Sequence, residues 1–135
     1  MKAILADNDV EGILAALVSI WLSDTWRDLW IELNCSLETF PSLDLPRNAS
    51  DAVVWEACQN HQIVLITGNR NAESPESLEA TIRNLNRPHS LPVFTLSNPN
   101  RILKDRGYAN LVAERLLDYL MSVQDYRGTG RICVP

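Results

Sequence analysis

Histidine, cysteine and glycine are scarce in this 135-residue chain, and each shortage removes a class of chemistry. The two histidines, His61 and His89, stand apart from one another and read as surface or loop residues. No Ser-His-Asp or Cys-His arrangement can be built on them. The three cysteines, Cys35, Cys58 and Cys133, are widely spaced, odd in number and form no CxxC pair. That excludes a disulfide framework and argues against a zinc site, leaving buried reduced thiols in a reducing cytoplasm as the expectation. Of five glycines, three (Gly107, Gly128 and Gly130) fall in the last third, so there is no glycine-rich phosphate loop. No apolar run approaches the ~18 residues of a membrane span. The opening stretch reaches Asp7 too soon to hold a signal peptide. A cytoplasmic protein without a membrane partner is expected.

Positive charge is also short. Twelve Lys and Arg stand against 17 Asp and Glu, for a formal net charge of −5. A protein that coats nucleic acid nonspecifically needs a basic stripe, which this composition does not supply. Local arginines (Arg70, Arg83, Arg87, Arg101 and Arg106) could still form a basic rim around an acidic pocket.

What the chain does have is a 46% hydrophobic content, enough for one core without metals or disulfides, and residues 1–135 read as a single domain. Ala3-Ile4-Leu5-Ala6 is a short apolar run that reads as a buried strand. Val10 to Leu22 carries Val10, Ile13, Leu14, Leu17, Val18 and Trp21 on one helical face, with Asp9 as N-cap. Alternation over Trp30 to Cys35 predicts a second strand, and Phe40 to Asn48 a loop. Ser50 or Asn48 caps a helix over about 49–60, leading into the strongest strand, Ile63-Val64-Leu65-Ile66. Ser74-Pro75-Glu76 opens a helix to about Leu85. Pro92 to Leu96 is a fourth strand, Tyr108 to Val123 the last helix, and Arg131 to Val134 a short terminal strand. Alternating strands and helices predict an α/β fold, a three-layer α/β/α sandwich around a mostly parallel sheet of four to five strands.

In such sheets ligands sit beyond the carboxyl ends of the strands. Asp7 and Asp9 follow the first strand, Asn69 and Asn71 follow the strongest one, and Asp51 opens the helix that leads into it. Carboxylates gathered at one point repel each other unless a cation lies between them. A hard divalent ion such as Mg²⁺ or Mn²⁺ is the natural occupant and would support phosphodiester hydrolysis. The plainer reading is that Asp9 and Asp51 cap helices. Asp7, ending a buried strand where an unpaired carboxylate is costly, points more to function.

These residues resemble a family. Ile4-Leu5-Ala6-Asp7-Asn8-Asp9, then Ser50-Asp51-Ala52-Val53-Val54, then Ile63 to Asn71 (IVLITGNRN) are similar in order and spacing to the motifs of small prokaryotic PIN-like domains, over about the first 71 residues. The resemblance implies a PIN-like fold and a metal-dependent ribonuclease, often the toxin of a toxin–antitoxin pair, and often self-associating. It implies catalytic roles for Asp7, Asp51, Asp9, Asn69 and Asn71, with Asp7, Asp51 and Asp9 as metal ligands. RNA, an antitoxin-like protein and a second copy are the partners it implies. Asn69 and Asn71 stand where the family has aspartates, which removes two charges; Asp9 replaces an asparagine and returns one, and Glu73 is a further candidate.

Three other readings compete. Asp7-Asn8-Asp9 and Ile66-Thr67-Gly68 also resemble the first two motifs of haloacid-dehalogenase-type phosphatases, but Glu11 stands where that family has Thr or Val, and no strand-flanked Lys or acidic pair follows. A receiver domain wants a phosphoacceptor aspartate where Gly68 or Asn69 stands. A catalytically inactive PIN-like protein would serve as a binding or dimerisation module, with Trp21, Trp26 and Trp30 either at an interface or in the core.

Overall fold

Three short apolar runs, a brief edge segment and a terminal segment become five strands, and all of them pair in parallel. The computed structural model describes residues 1–68 and 77–135. The strands are β1 (Ala3–Ala6), β2 (Ser36–Glu38), β3 (Ile63–Thr67), β4 (Val93–Leu96) and β5 (Arg131–Val134), in the spatial order β2-β1-β3-β4-β5. β1, β3 and β4 are buried along their whole length, the mark of a parallel sheet covered on both faces. Register is set by Ala3 opposite Ile63 through Ala6 opposite Ile66.

The helices among the described residues are α1 (Glu11–Trp21), α2 (Arg27–Leu33), α3 (Asp51–Asn60), α4 (Leu78–Leu85), α5 (Pro99–Lys104) and α6 (Arg106–Met121). Side chains alternate across each strand, so the sheet feeds two cores. Ile4, Val64, Ile66 and Phe94 pack with α1, α5 and α6 on one face. Ala3, Leu5, Ile63, Leu65 and Val93 pack with α3 and α4 on the other. The expected three-layer α/β/α arrangement is present, and its sheet is parallel throughout.

Several local expectations are corrected. Trp30 to Leu33 belongs to α2, and the strand starts only at Ser36. The pattern that decides it is Trp26, Leu29, Trp30 and Leu33, an i, i+3, i+4, i+7 set packed against the first core. Ile31, which suggested alternation, is 64% exposed. Asn34 closes α2 in the left-handed region at φ 52°, a role asparagine tolerates. α5 lies where a break was expected, with Pro99 at its start. Asp9 does not cap α1; a 3₁₀ turn over Asn8–Val10 intervenes and Asp7 is its cap. Ser50 does cap α3, its Oγ accepting the Val53 N–H at 3.3 Å. The expected Ser74 helix start lies outside the described residues; α4 is capped by the buried Ser77, whose Oγ accepts the Ala80 N–H at 3.1 Å.

The tryptophans resolve toward the core. Trp21 is fully buried, stacks on Trp30 with centroids 4.9 Å apart, and donates its indole N–H to the Ala113 carbonyl at 2.9 Å. That bond locks α1 to α6. Trp21→Ala should lose 3–5 kcal/mol, roughly, from the cavity and the orphaned carbonyl, read from the midpoint of urea denaturation.

The thiols divide. Cys58 is buried and Cys35 half-buried, whereas Cys133 is exposed on edge strand β5, contrary to the expectation of three buried thiols. Burial pushes the Cys35 thiol up to about 11 and the Cys58 thiol up to about 12, with the Asp7 charge adding to the second. The thiolate is the reactive form and is a minor species for both at pH 8. Brief treatment with iodoacetamide at pH 8 should therefore give one adduct by mass spectrometry, and Cys133→Ser should abolish it.

Candidate functional site

The strand order 2-1-3-4-5 reverses direction between β1 and β3, because the chain moves outward to β2 and then returns to the other side of β1. In open parallel sheets ligands bind at such a switch point, beyond the carboxyl ends of the two strands. Asp7 follows β1 directly, and its backbone N–H continues the ladder to the Ile66 carbonyl at 2.8 Å. Its carboxylate is held at both oxygens. Oδ1 accepts the Asn8 N–H at 2.8 Å, and Oδ2 accepts the hydroxyl of the buried Thr67, the last residue of β3, at 3.0 Å.

Gly68 comes next and forms the floor. A Cβ there would stand 3.0 Å from Asp9 Oδ2 and 3.3 Å from both Val10 Cγ1 and Pro99 Cγ. The Asp9 carboxylate is thus turned in over the end of β3. Loss of water raises its proton affinity above the ordinary carboxylate value, and the Asp7 charge raises it further. N–H groups of Gly68 and of Asp9 itself oppose this, and Asp51 adds a smaller push upward. Asp51 reaches the site as the first residue of α3. Asp51, Val54, Trp55 and Cys58 follow one face of that helix, and the last three pack against the sheet. Three acids from two distant segments therefore share one electrostatic neighbourhood.

Arg47 is the residue beside the candidate site that sequence reading missed. Its Nη1 donates to Asn8 Oδ1 at 3.0 Å and pairs with Glu11, while Asn8 Nδ2 donates back to the Arg47 carbonyl at 2.6 Å. This two-way clasp ties the loop before α3 to the turn after β1. It lies in a segment without periodicity, far in sequence from Asn8, so nothing in the pattern signalled it.

The basic rim expected from other arginines is not formed by the described ones. α4 carries the chain back from the carboxyl edge of the sheet, so Arg83 in its last turn and Arg87 beyond it lie at the opposite end. Arg106 sits beside Ser19 and Ser23, at the far end of α1. Arg101, close after Pro99, pairs with Asp105 at 3.2 Å and lies over the Tyr108 ring. His61 and His89 are both exposed, as expected. Asn69, Arg70, Asn71 and Glu73 lie outside the described residues.

Carboxylate oxygens are the donor type that suits a hard divalent cation. Among the described residues no group of three or more His, Cys, Asp or Glu is arranged to hold a metal ion. Mg²⁺ does not require one, since it is ordinarily held by one or two carboxylates with waters and phosphate oxygens completing the shell. Asp7 and Asp51 fit that description in kind. Also among the described residues, no helix is long and apolar enough to cross a membrane.

Comparison of the chain with protein-family models, with curated protein sequences and with solved structures gives no match.

Gly68 is the tightly packed glycine at this end of the sheet. Gly68→Ala should displace the Asp9 carboxylate and press on Val10 and Pro99, lowering stability by about 1–3 kcal/mol as overpacked sites do. The midpoint of thermal or urea unfolding reads it directly.

Proposed function

We propose that this protein is a PIN-like, Mg²⁺- or Mn²⁺-dependent ribonuclease that hydrolyses phosphodiester bonds in single-stranded RNA. The observation that carries this reading is that Asp9, whose carboxylate lies against Gly68 at the switch point of the sheet, feels the charges of both Asp7 and Asp51. It is the position at which open parallel sheets hold their ligands. Asp7 and Asp51 would hold the ion, with Asp9 beside them and Asn69 and Asn71 offering neutral oxygens. A bound divalent ion supplies Lewis-acid polarisation of the phosphate and an acidified water.

The chain's own residues do the rest. Thr67 and the Asn8 N–H fix the rotamer of Asp7, so its carboxylate meets an ion without reorganising. Asp9, held close to a proton by desolvation and its acidic neighbours while no ion is bound, is a further oxygen donor beside them. Arg47, held by Asn8 and Glu11, keeps a guanidinium beside the acids, where a phosphate would approach. Action on RNA would place the protein in the cytoplasm. The motif resemblance extends the proposal to a toxin–antitoxin pair, with an antitoxin-like protein as partner, and to a homodimer.

The second reading is a catalytically inactive PIN-like protein that acts by binding or dimerisation. It is favoured by Asn69 and Asn71, uncharged residues where the resembled motif carries aspartates.

Calorimetric titration with Mn²⁺ on the wild type and Asp7→Asn, paired with a single-stranded RNA pool, separates them. Binding at millimolar metal or below is expected, weakened about 100-fold or more in the variant, since even an outer-shell partner is worth 10–100-fold. Cleavage should vanish with EDTA and in the variant while the unfolding midpoint confirms that it is folded. Absence of heat with Mn²⁺ together with intact RNA leaves only the binding protein.

A further inference from the structure

The turn after β1 and the loop before α3 are joined by one exposed side chain, that of Asn8. Its Nδ2 donates to the Arg47 carbonyl at 2.6 Å, and its Oδ1 accepts Arg47 Nη1 at 3.0 Å. Both halves of the amide are used, one as donor and one as acceptor. An aspartate could not replace it, because its second oxygen would face the Arg47 carbonyl with no proton to offer. From Arg47 the link runs stiffly to Asp51. The Ala49 N–H closes a turn on the Pro46 carbonyl at 3.0 Å, Ala49 packs on the second core, and Ser50 caps α3. In the other direction the Asn8 N–H holds Asp7 Oδ1 at 2.8 Å. One residue thus touches the Asp7 carboxylate through its backbone and the segment leading into Asp51 through its side chain.

We propose that Asn8 is the positioning residue of the ion site: its amide, closed on Arg47, sets Asp51 at the distance from Asp7 that a single divalent ion bridges. The inference rests on the nuclease reading and assigns a residue, itself no ligand, on which the ion affinity depends. Anchoring comes first. The buried residues of α3 begin at Val54, so the first turn, with Asp51, takes its place from the loop before it. Repulsion comes second. The charges of Asp7 and Asp51 are both felt at Asp9 and push their segments apart, and an uncharged amide ties those segments without adding charge to the site. Geometry comes third. Mg²⁺ demands a near-octahedral shell with oxygens at ~2.0–2.1 Å, so a small error in spacing leaves one carboxylate out of reach. The charge of Arg47 acts in the opposite sense to its place in the clasp, since a guanidinium beside the acids repels a cation. The two roles of Arg47 therefore have opposite signs.

Calorimetry with Mn²⁺, and the broadening that Mn²⁺ causes in amide NMR signals, test this on the full chain without catalysis. Asn8→Ala keeps the backbone N–H on Asp7 and changes no charge. It should weaken Mn²⁺ binding by about 10–100-fold, as loss of an outer-shell partner does, while the urea midpoint in EDTA stays near that of the wild type. At matched occupancy, broadening should persist at Asp7 and fade at Asp51. Arg47→Ala supplies the test of sign. Loss of its charge alone would tighten Mn²⁺ binding, whereas loss of the clasp weakens it, and weakening is expected. Unchanged affinity in Asn8→Ala, tighter binding in Arg47→Ala, or broadening that stays equal at Asp7 and Asp51 overturns the inference and leaves the ion site standing. So does an affinity that falls only in step with the unfolding midpoint. A wild type that takes up no Mn²⁺ overturns the ion site itself, and this inference with it.

Discussion

The parallel pairing of β1 with β3 is the constraint from which the other features follow. Four residue pairs, Ala3–Ile63 to Ala6–Ile66, join segments about sixty positions apart, and the Asp7 N–H to Ile66 bond extends the ladder one step further. A shift by one residue would turn every side chain to the other face. Ile4 and Ile66 would leave the α1–α6 core, and Thr67 would no longer meet Asp7. Correct register in the interior and a correctly aimed carboxylate are therefore the same event. Burial of the apolar run Ile63 to Ile66 on both faces is what enforces it.

The acids at the carboxyl edge work against the fold that gathers them. Asp7 and Asp51 charges press on Asp9, and that repulsion persists until a proton or a cation relieves it. The structure tolerates the arrangement because hydrogen bonds satisfy the groups involved: the Thr67 hydroxyl and Asn8 N–H on Asp7, and the Gly68 N–H on Asp9. Arg47 adds a countercharge through Glu11 and binds the long loop down with it. Such sites trade local stability for the capacity to hold charge, and this one concentrates the trade within a few residues.

Much of this was legible in the chain itself. β1, β3 and β4 were, because they are largely apolar runs between turn formers, whereas β2 was expected over Trp30 to Cys35. The position of Asp7, Asp9 and Asp51 was legible too, because parallel sheets place strand ends and helix starts at one edge. α2 was not, because Ile31 sits between the residues that carry the helical spacing and mimics alternation while facing solvent. α5 was hidden by its brevity, six residues straight after a turn-forming Asn-Pro pair. The need for glycine at position 68 depends on how closely Asp9, Val10 and Pro99 approach it, which no one-dimensional pattern records. Arg47 escaped for the same reason, since its partners Asn8 and Glu11 meet it only after the loop closes.

The wide separation of β1 and β3 along the chain has a consequence during synthesis. Parallel pairings across long intervening segments form slowly, after loop closure has been overcome. A nascent chain that has exposed Asp7, Asp9 and Asp51 still lacks Thr67 and Gly68, and β3 in turn leans on β4, whose other neighbour is the terminal strand β5. The acidic end of the sheet therefore takes shape only after β3 has been synthesised, about sixty residues after Asp7 and Asp9. Any chemistry it performs is withheld over that interval.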